Sequence, residues 1–530
     1  MSVVRPLTWQ PAGVLQKSVS MWFEAMSPAI ETEVVHALRR LVQIIPDQVI
    51  NKWSLFAGTG LSSKVCHALS AVLINKYGIR IDFSDSLFCE RDTHKQIFLK
   101  EQLEPEFLVS EVAQLISDSA ANVSLDGRSE MLPPCFMLDA GFPCTSRTPL
   151  SSKSSSNKDC VQNESEATGL GFKHLRQTIC KHWPRLLGLE CVVQLASRSD
   201  APGAISDAQW ICQVLSKEGY WMHTDGLQST EFGSPHPRER QYWGGLKDVE
   251  GSDAEITMFF NKVLLAFKTG CTWDILHFLT FSDEQRQLEA DAVQIPLNAN
   301  LGLRSSKTQR EDVNWKAEHK QLYDANNLDW PPNLASMRRE VDFSGLLPRE
   351  VEAVFFVHAV FPPPKTDSVQ FLDINPVLGR VLASHLDDTT SQPKVGSSPW
   401  RDRAPTLTGS LKLVVRFVME GVVKVRAAEA FEYMRLCGWD DSCWNVEAMT
   451  ALEEVSVDRV ELLENMAGNA FSLWHYGPWM SALLITLGRF GKLNGAESES
   501  CPASSECEGV GVDGFETPPH VCVDSSSDFE

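Results

Sequence analysis

The chain has 530 residues, 43% hydrophobic and 22% charged, enough apolar content for a large core and too much for wholesale disorder. Its 48 Lys and Arg stand against 69 Asp and Glu; the net charge of −21 lends no compositional support to binding a polyanion, although nine of the acids fall in 493–530, which holds no Lys or Arg. No run approaches the ~18 apolar residues of a membrane span, no charged and apolar leader opens the sequence, and the 14 cysteines include no CxxC pair, which argues against a disulfide framework or a zinc ribbon.

In chain order, apolar positions at Val34, Val35, Leu38, Leu41 and Val42 predict an amphipathic helix over 30–45. Trp53-Ser-Leu-Phe56 predicts a strand, Ala57-Gly-Thr-Gly60 a tight turn, and 61–77 a helix with Val65, Ala68, Leu69 and Val72 on one side. Strand, glycine turn and helix open an α/β domain. Further strands are predicted at 136–139, 190–194 and 240–243, and helices at 96–102 and 208–217, the alternation of a mostly parallel sheet covered on both faces. The Ser/Asn/Lys-rich stretch 151–166 predicts a mobile loop. Residues 246–403 read as irregular, with Pro331-Pro332, Pro362-Pro-Pro364 and Trp273, Trp315 and Trp330 among their residues, and suggest an inserted second domain. Helical periodicity returns at 427–436 and 480–487, and from Gly495 the composition turns to Ser, Glu, Gly and Pro, which predicts a disordered tail.

Several short motifs carry chemistry. Phe56-Ala-Gly58-Thr-Gly60 has two glycines of a nucleotide-type turn and lacks the third; it reads equally as an ordinary strand-to-helix turn. Glu90, some thirty residues on, suits two ribose hydroxyls or a solvated charge cluster. Gly141-Phe-Pro143-Cys144-Thr-Ser-Arg147 puts a cysteine after a strand, where α/β folds bind ligands; a thiol there is a nucleophile or a small buried apolar group. Glu190 sits in an aliphatic strand, where burial raises a carboxyl's pKa and suits it to donate a proton, or at a strand end where it simply meets water. Arg238 and Arg240, two apart before a strand, share one face if the segment is extended. Leu463 to Phe471 contains Gly468-Asn469-Ala470, with Asn469 a candidate cap.

The order of these items, FAGTG at 56–60, Glu90, Phe142-Pro-Cys144, Glu190, Pro237-Arg-Glu-Arg240, an insertion and then Gly468-Asn-Ala470, resembles the cytosine-5 DNA methyltransferase family from about Trp53 to Leu473. Ala404-Pro-Thr-Leu-Thr408, Arg426-Ala-Ala-Glu429-Ala-Phe431 and Gly438-Trp439-Asp440 look like the family's ninth motif, which helps hold the recognition domain; Leu347-Pro-Arg349-Glu350 fits less well. The resemblance implies an α/β, Rossmann-like, mostly parallel sheet of the class I methyltransferase type with an inserted target-recognition domain. It implies S-adenosyl-L-methionine as cofactor, held by Phe56, Ala57, Gly58, Thr59, Gly60, Glu90, Glu111 (with Asp118 a weaker choice), Asn469 and Ala470. Thr168-Gly169-Leu170 is similar to the fifth motif. Cys144, following Pro143, would add to carbon 6 of a flipped cytosine, Glu190 would hold and protonate ring nitrogen 3, and Arg240 with Arg238 would support the ring carbonyl. No metal is implied. The chain departs from the pattern at four positions: Cys191 replaces the asparagine after Glu190, His236 the glutamine before Arg238, Ser54 the acid before the glycine turn, and Thr145 the residue after the nucleophile.

The expected organisation is a helical lead at 1–46, a catalytic domain at 47–245 closed by 404–492, a target-recognition domain at 246–403 with Arg304 to Lys320 as its locally basic stretch, and an acidic tail at 493–530. Expected partners are double-stranded DNA, with RNA as an alternative, and no membrane; a nuclear location follows only from a DNA substrate. An RNA cytosine-5 methyltransferase of the same fold, and a catalytically silent homologue that binds nucleic acid or a partner enzyme, stay open.

Overall fold

Aliphatic strands alternating with helices assemble a seven-stranded sheet in the computed structural model. It describes residues 13–493 except 117–131, 145, 148–157, 199–202, 271, 299–314, 338–339, 363–368, 377, 384, 388, 395–397, 402–403, 408–410, 420, 440–443 and 456–457. Asp118, Thr145, Thr408, Asp440, the expected loop as far as 157, the basic stretch as far as 314 and the tail from 494 therefore lie outside the described residues.

The strands are β1 (Val49–Leu55), β2 (Asp82–Cys89), β3 (Phe107–Val109), β4 (Met137–Gly141), β5 (Leu186–Cys191), β6 (Trp221–Gln228) and β7 (Glu239–Leu246), in the order β3-β2-β1-β4-β5-β7-β6. All pairs are parallel except those of β7, which runs antiparallel to both β5 and β6. This is the expected mostly parallel α/β sheet. The strand order reverses between β1 and β4, so the crevice that such sheets offer to ligands opens where the glycine turn and the Pro-Cys segment leave their strands.

Period-two alternation sends neighbouring residues to opposite faces. Leu187, Leu189 and Trp243 join a core with the helices Glu166–His182 and Asp207–Lys217, whereas Leu186, Tyr242 and Leu246 join a core with the helices Val14–Glu24, Pro28–Ile44 and Leu473–Phe490. Gly188 and Gly244 let that last helix approach closely. A Cβ on Gly188 would lie 2.4 Å from Met480 Sδ, and one on Gly244 would lie 2.5 Å from Leu483 Cδ2. No helix among the described residues is long and apolar enough to cross a membrane; the apolar Leu473–Phe490 helix is spent on the sheet.

Two expectations need correction. The strand expected at 190–194 is β5, and it ends at Cys191; Val193–Ala196 turns into a 3-10 helix, because the fully buried run is Leu186-Leu-Gly-Leu189. Residues 246–403 are also more regular than their prolines suggest, with helices at Asp253–Ala266, Asp283–Val293, Trp315–Ala325 and Pro348–Val360. A small antiparallel sheet, β10-β9-β8, joins β8 (Gln370–Asp373) to β9 (Leu413–Met419) and β10 (Val422–Ala427) over a core that includes Tyr323, Phe356 and Trp400, so one core spans residue 403.

Candidate active site

The turn after β1 needs backbone that few side chains tolerate: Phe56, Gly58 and Gly60 have φ of 55°, 58° and 71°. Glu90 fixes it, accepting from Gly58 N–H at 2.9 Å with one carboxylate oxygen and from Asp92 N–H at 3.0 Å with the other. Asp92 in turn caps the helix Thr93–Leu103. Within β1, Lys52 is fully buried. Its ammonium lies 2.9 Å from Asp139 Oδ2 in β4 and donates to Ser62 at 3.0 Å, to Ser63 at 2.9 Å and to Ser54. Tyr476 O–H donates to the same Asp139 oxygen at 2.7 Å. Burial alone would pull the Lys52 pKa down; the facing carboxylates of Asp139 and Asp85 more than offset it, and the ammonium is held above its ordinary value. One ion pair thus ties the strand that enters the glycine turn to the strand that enters the Pro-Cys segment.

A cavity of about 740 Å³ runs from this turn to the ends of β4, β5 and β7. Phe56, Gly58, Glu90 and Glu111 line it together with Pro143, Cys144, Glu190, Arg238, Arg240 and Asn469. The register explains the meeting: Gly141 is the partner of Glu190 across β4–β5, and Glu190 is the partner of Tyr242 across β5–β7. Arg240 Nε lies 3.0 Å from Glu190 Oε1. Arg238 is buried and donates to the Ala470 carbonyl at 2.7 Å. Glu111 faces Arg91 at 3.2 Å in a half-exposed pair.

The electrostatics are those of a resting, uncharged thiol. Burial pushes the Cys144 thiol up, Glu190 adds to this, and Arg240 and Arg238 oppose it. Burial likewise raises the Glu190 carboxyl, against the pull of the same two arginines. With iodoacetamide, alkylation of resting Cys144 will therefore be slow at neutral pH and will rise as the pH climbs through and beyond the ordinary thiol range. Glu190→Gln removes a negative charge that disfavours the thiolate, so alkylation at pH 8 will quicken about three- to tenfold. An unchanged or slower rate would contradict this electrostatic arrangement.

The departures from the family pattern have observable partners. The Cys191 thiol is buried and donates to the Phe142 carbonyl at 3.8 Å, so a contact to the Pro-Cys segment exists without an amide. His236 is buried and donates through Nε2 to the Leu436 carbonyl at 2.7 Å. Burial, helped by the neighbouring Arg238, lowers its pKa to about 4 and keeps it neutral. Leu436 belongs to the helix Ala430–Cys437, which a buried charge network holds. Arg426 forks onto Glu432 at 2.8 and 2.7 Å, Arg286 meets Glu429 at 2.7 Å, and Arg435 meets Glu289 at 3.0 Å; all six side chains are at most 7% exposed. Arg286 and Glu289 lie on the helix Asp283–Val293, so these pairs tie residues 429–435 to that helix. Thr406 adds a hydrogen bond to the Pro237 carbonyl at 2.9 Å.

Among the expected cofactor residues, Ala57, Thr59, Gly60 and Ala470 do not line the cavity. Thr59 caps its own turn by accepting from Leu61 N–H at 3.2 Å, and Gly60 packs on Leu99 and Leu103. Sequence reasoning missed Cys89, Lys95, Ser110, Val112 and His174, which do line it. Ala167, Leu170, Gly171 and His174 follow i, i+3, i+4, i+7 spacing, a signal that was available once a helix was placed at Glu166–His182. A cavity of this volume suits a nucleoside-sized cofactor. A Cβ on Gly58 would meet nothing closer than 4.0 Å, which leaves open backbone beside Glu90 for such a group. S-adenosyl-L-methionine therefore fits the residues present.

No curated protein matches the chain. Three solved structures are similar over 82% of it. They are a methyltransferase of Entamoeba histolytica, EhMeth (11% identity, TM-score 0.38, 97% of that chain), a putative DNA modification methyltransferase encoded within an Escherichia coli prophage (14%, 0.40, 98%), and the Dnmt2 methyltransferase of Schizosaccharomyces pombe (13%, 0.37, 98%). Residues 121–325 match the sequence model of the family described as C-5 cytosine-specific DNA methylase. That stretch contains Pro143-Cys144, Glu190, Arg238 and Arg240, so the matched residues include those that meet at the ends of β4, β5 and β7.

Proposed function

We propose that this protein transfers a methyl group from S-adenosyl-L-methionine to carbon 5 of cytosine in DNA, on a base turned out of the duplex. The observation that carries the reading is the convergence of Cys144, Glu190 and Arg240 in one cavity with the Gly58–Glu90 turn. Phe56, Gly58, Glu90, Glu111 and Asn469 would hold the cofactor, which when bound supplies an electrophilic methyl. Flipping the base costs a few kcal/mol, offset by contacts in the pocket.

Within the pocket, Cys144 would give its proton to water and add as the thiolate to ring carbon 6. Glu190, whose carboxyl burial pushes up against the pull of Arg240 and Arg238, would donate a proton to ring nitrogen 3 as the sulfur–carbon bond forms. Arg240, paired to Glu190, holds that carboxyl and can reach the ring carbonyl. The addition makes carbon 5 nucleophilic. After methylation, carbon 5 gives its proton to water, the sulfur–carbon bond breaks as the ring double bond reforms, nitrogen 3 returns its proton to Glu190, and the released thiolate takes a proton back from water. Residues 246–403 would serve target recognition, and a nuclear location would follow from a DNA substrate.

The test is transfer of labelled methyl to unmethylated duplex, hemimethylated duplex and transfer RNA, with Cys144→Ser as control. Label in DNA that vanishes in the control is expected. Label only in RNA would replace DNA by RNA in this reading. Cofactor binding without transfer to any of the three would leave a silent homologue.

A further inference from the structure

The segment after the nucleophile holds a cation that the proposed reaction does not use. Arg147 stands three residues after Cys144 and is 2% exposed. Its backbone N–H closes a turn onto the Cys144 carbonyl at 2.9 Å. Its guanidinium donates to the Gln194 carbonyl and, at 2.8 Å, to Ser197 Oγ. Ser197 Oγ donates to the same Gln194 carbonyl at 2.6 Å. These acceptors lie on the turn that leaves β5 directly after Glu190 and Cys191, a turn closed by Leu195 N–H to the Val192 carbonyl at 3.1 Å and Ser197 N–H to the Gln194 carbonyl at 3.1 Å. One side chain therefore joins the turn of the nucleophile to the turn of the acid. Taking a guanidinium out of water is expensive, and its hydrogen bonds must be well placed to offset that. A merely solvating role would leave it on the surface.

We infer that Arg147 is a positioning residue, which sets Cys144 against Glu190 by clamping the turn after one to the turn after the other. This rests on the proposed methyl transfer. A second anchorage works in the same sense. Asp207, fully buried at the start of its helix, accepts from Val161 N–H at 3.2 Å and Gln162 N–H at 3.3 Å, holding the chain that enters the helix Glu166–His182. A Cβ on Gly171 of that helix would lie 2.9 Å from Pro143, so the nucleophile's own loop is seated on it. Misplacing a reacting group by about 1 Å costs about a hundredfold in rate, so the clamp acts on turnover rather than on binding.

In Arg147→Met, kcat will fall about a hundredfold while KM for nucleic acid and Kd for the cofactor stay within about twofold. Arg147→Lys will recover about a tenth of the wild-type kcat, because one donor still reaches the Gln194 carbonyl. Amide exchange at Arg147, Leu195 and Ser197 will quicken about tenfold in Arg147→Met, and about threefold in Ser197→Ala, which keeps the arginine and serves if the methionine variant does not fold. A fall in the unfolding midpoint with unchanged kcat per folded molecule, or unchanged exchange at these amides, overturns the inference. The exchange comparison needs no substrate, so it decides the clamp even if the protein transfers methyl to nothing.

Discussion

Cys144→Ser will bind cofactor as the wild type does and will lose methyl transfer by at least about a thousandfold, on the order of 4 kcal/mol of barrier. A serine hydroxyl is a far weaker nucleophile than a thiol unless a base takes its proton. The carboxyl beside it, Glu190, is bound to Arg240 and pushed toward its protonated form by burial, so it is arranged to give a proton and not to take one. Covalent capture measures the same step separately. A duplex containing 5-fluorocytosine holds the adduct, because the proton that must leave carbon 5 has been replaced. Wild-type protein and cofactor will give a denaturation-resistant complex, and Cys144→Ser none. Retained turnover in the serine variant would sink the mechanism.

The second large effect is on stability. Glu432→Gln will destabilise the fold by about 3–5 kcal/mol, the cost of leaving a buried charge without its partner. Glu432 is fully buried, and its two oxygens serve Arg426 at both ends while accepting from Thr280 N–H and Glu429 N–H, each at 2.8 Å. A glutamine keeps the shape and turns one acceptor into a donor that faces other donors. Burial would raise the Glu432 pKa, yet Arg426 holds it below the ordinary carboxylate value. Its contribution is therefore complete above about pH 4.5 and is lost as the pH falls through the lowered native value. Urea midpoints measured between pH 7 and pH 3 will show the wild type losing stability on acidification more steeply than Glu432→Gln. Equal slopes would mean that Arg426 and Glu432 contribute no net pH-linked stability.

Much of the catalytic half was legible because its chemistry is local. Strand, glycine turn and helix over 53–77 follow from periodicity, and Cys144 and Glu190 stand out as a thiol and a carboxyl at strand ends. Lys52 was not legible as a tie. A lysine inside a strand reads as an edge or a surface position until Asp139, far along the chain, is seen facing it. His236 read only as a missing glutamine, since its partner Leu436 is brought to it by tertiary structure alone. Within 246–403, Ile256, Phe259, Phe260, Val263 and Leu264 do carry helical spacing, which a reading of the whole stretch as irregular passed over.

The close seating of the Leu473–Phe490 helix on Gly188 and Gly244 has a consequence for synthesis. When β7 leaves the ribosome, every strand of the large sheet has been made, yet the helix that covers its centre has still to be translated after the whole of 247–472. Until then Leu186, Tyr242 and Leu246 lack one of the helices of their core, and the nascent chain must survive as a partly open, sticky intermediate of the kind that recruits chaperones. A message truncated just before residue 473 would encode every residue that lines the cavity and none of the helix that dries the sheet behind it, and its product would be cleared rather than folded.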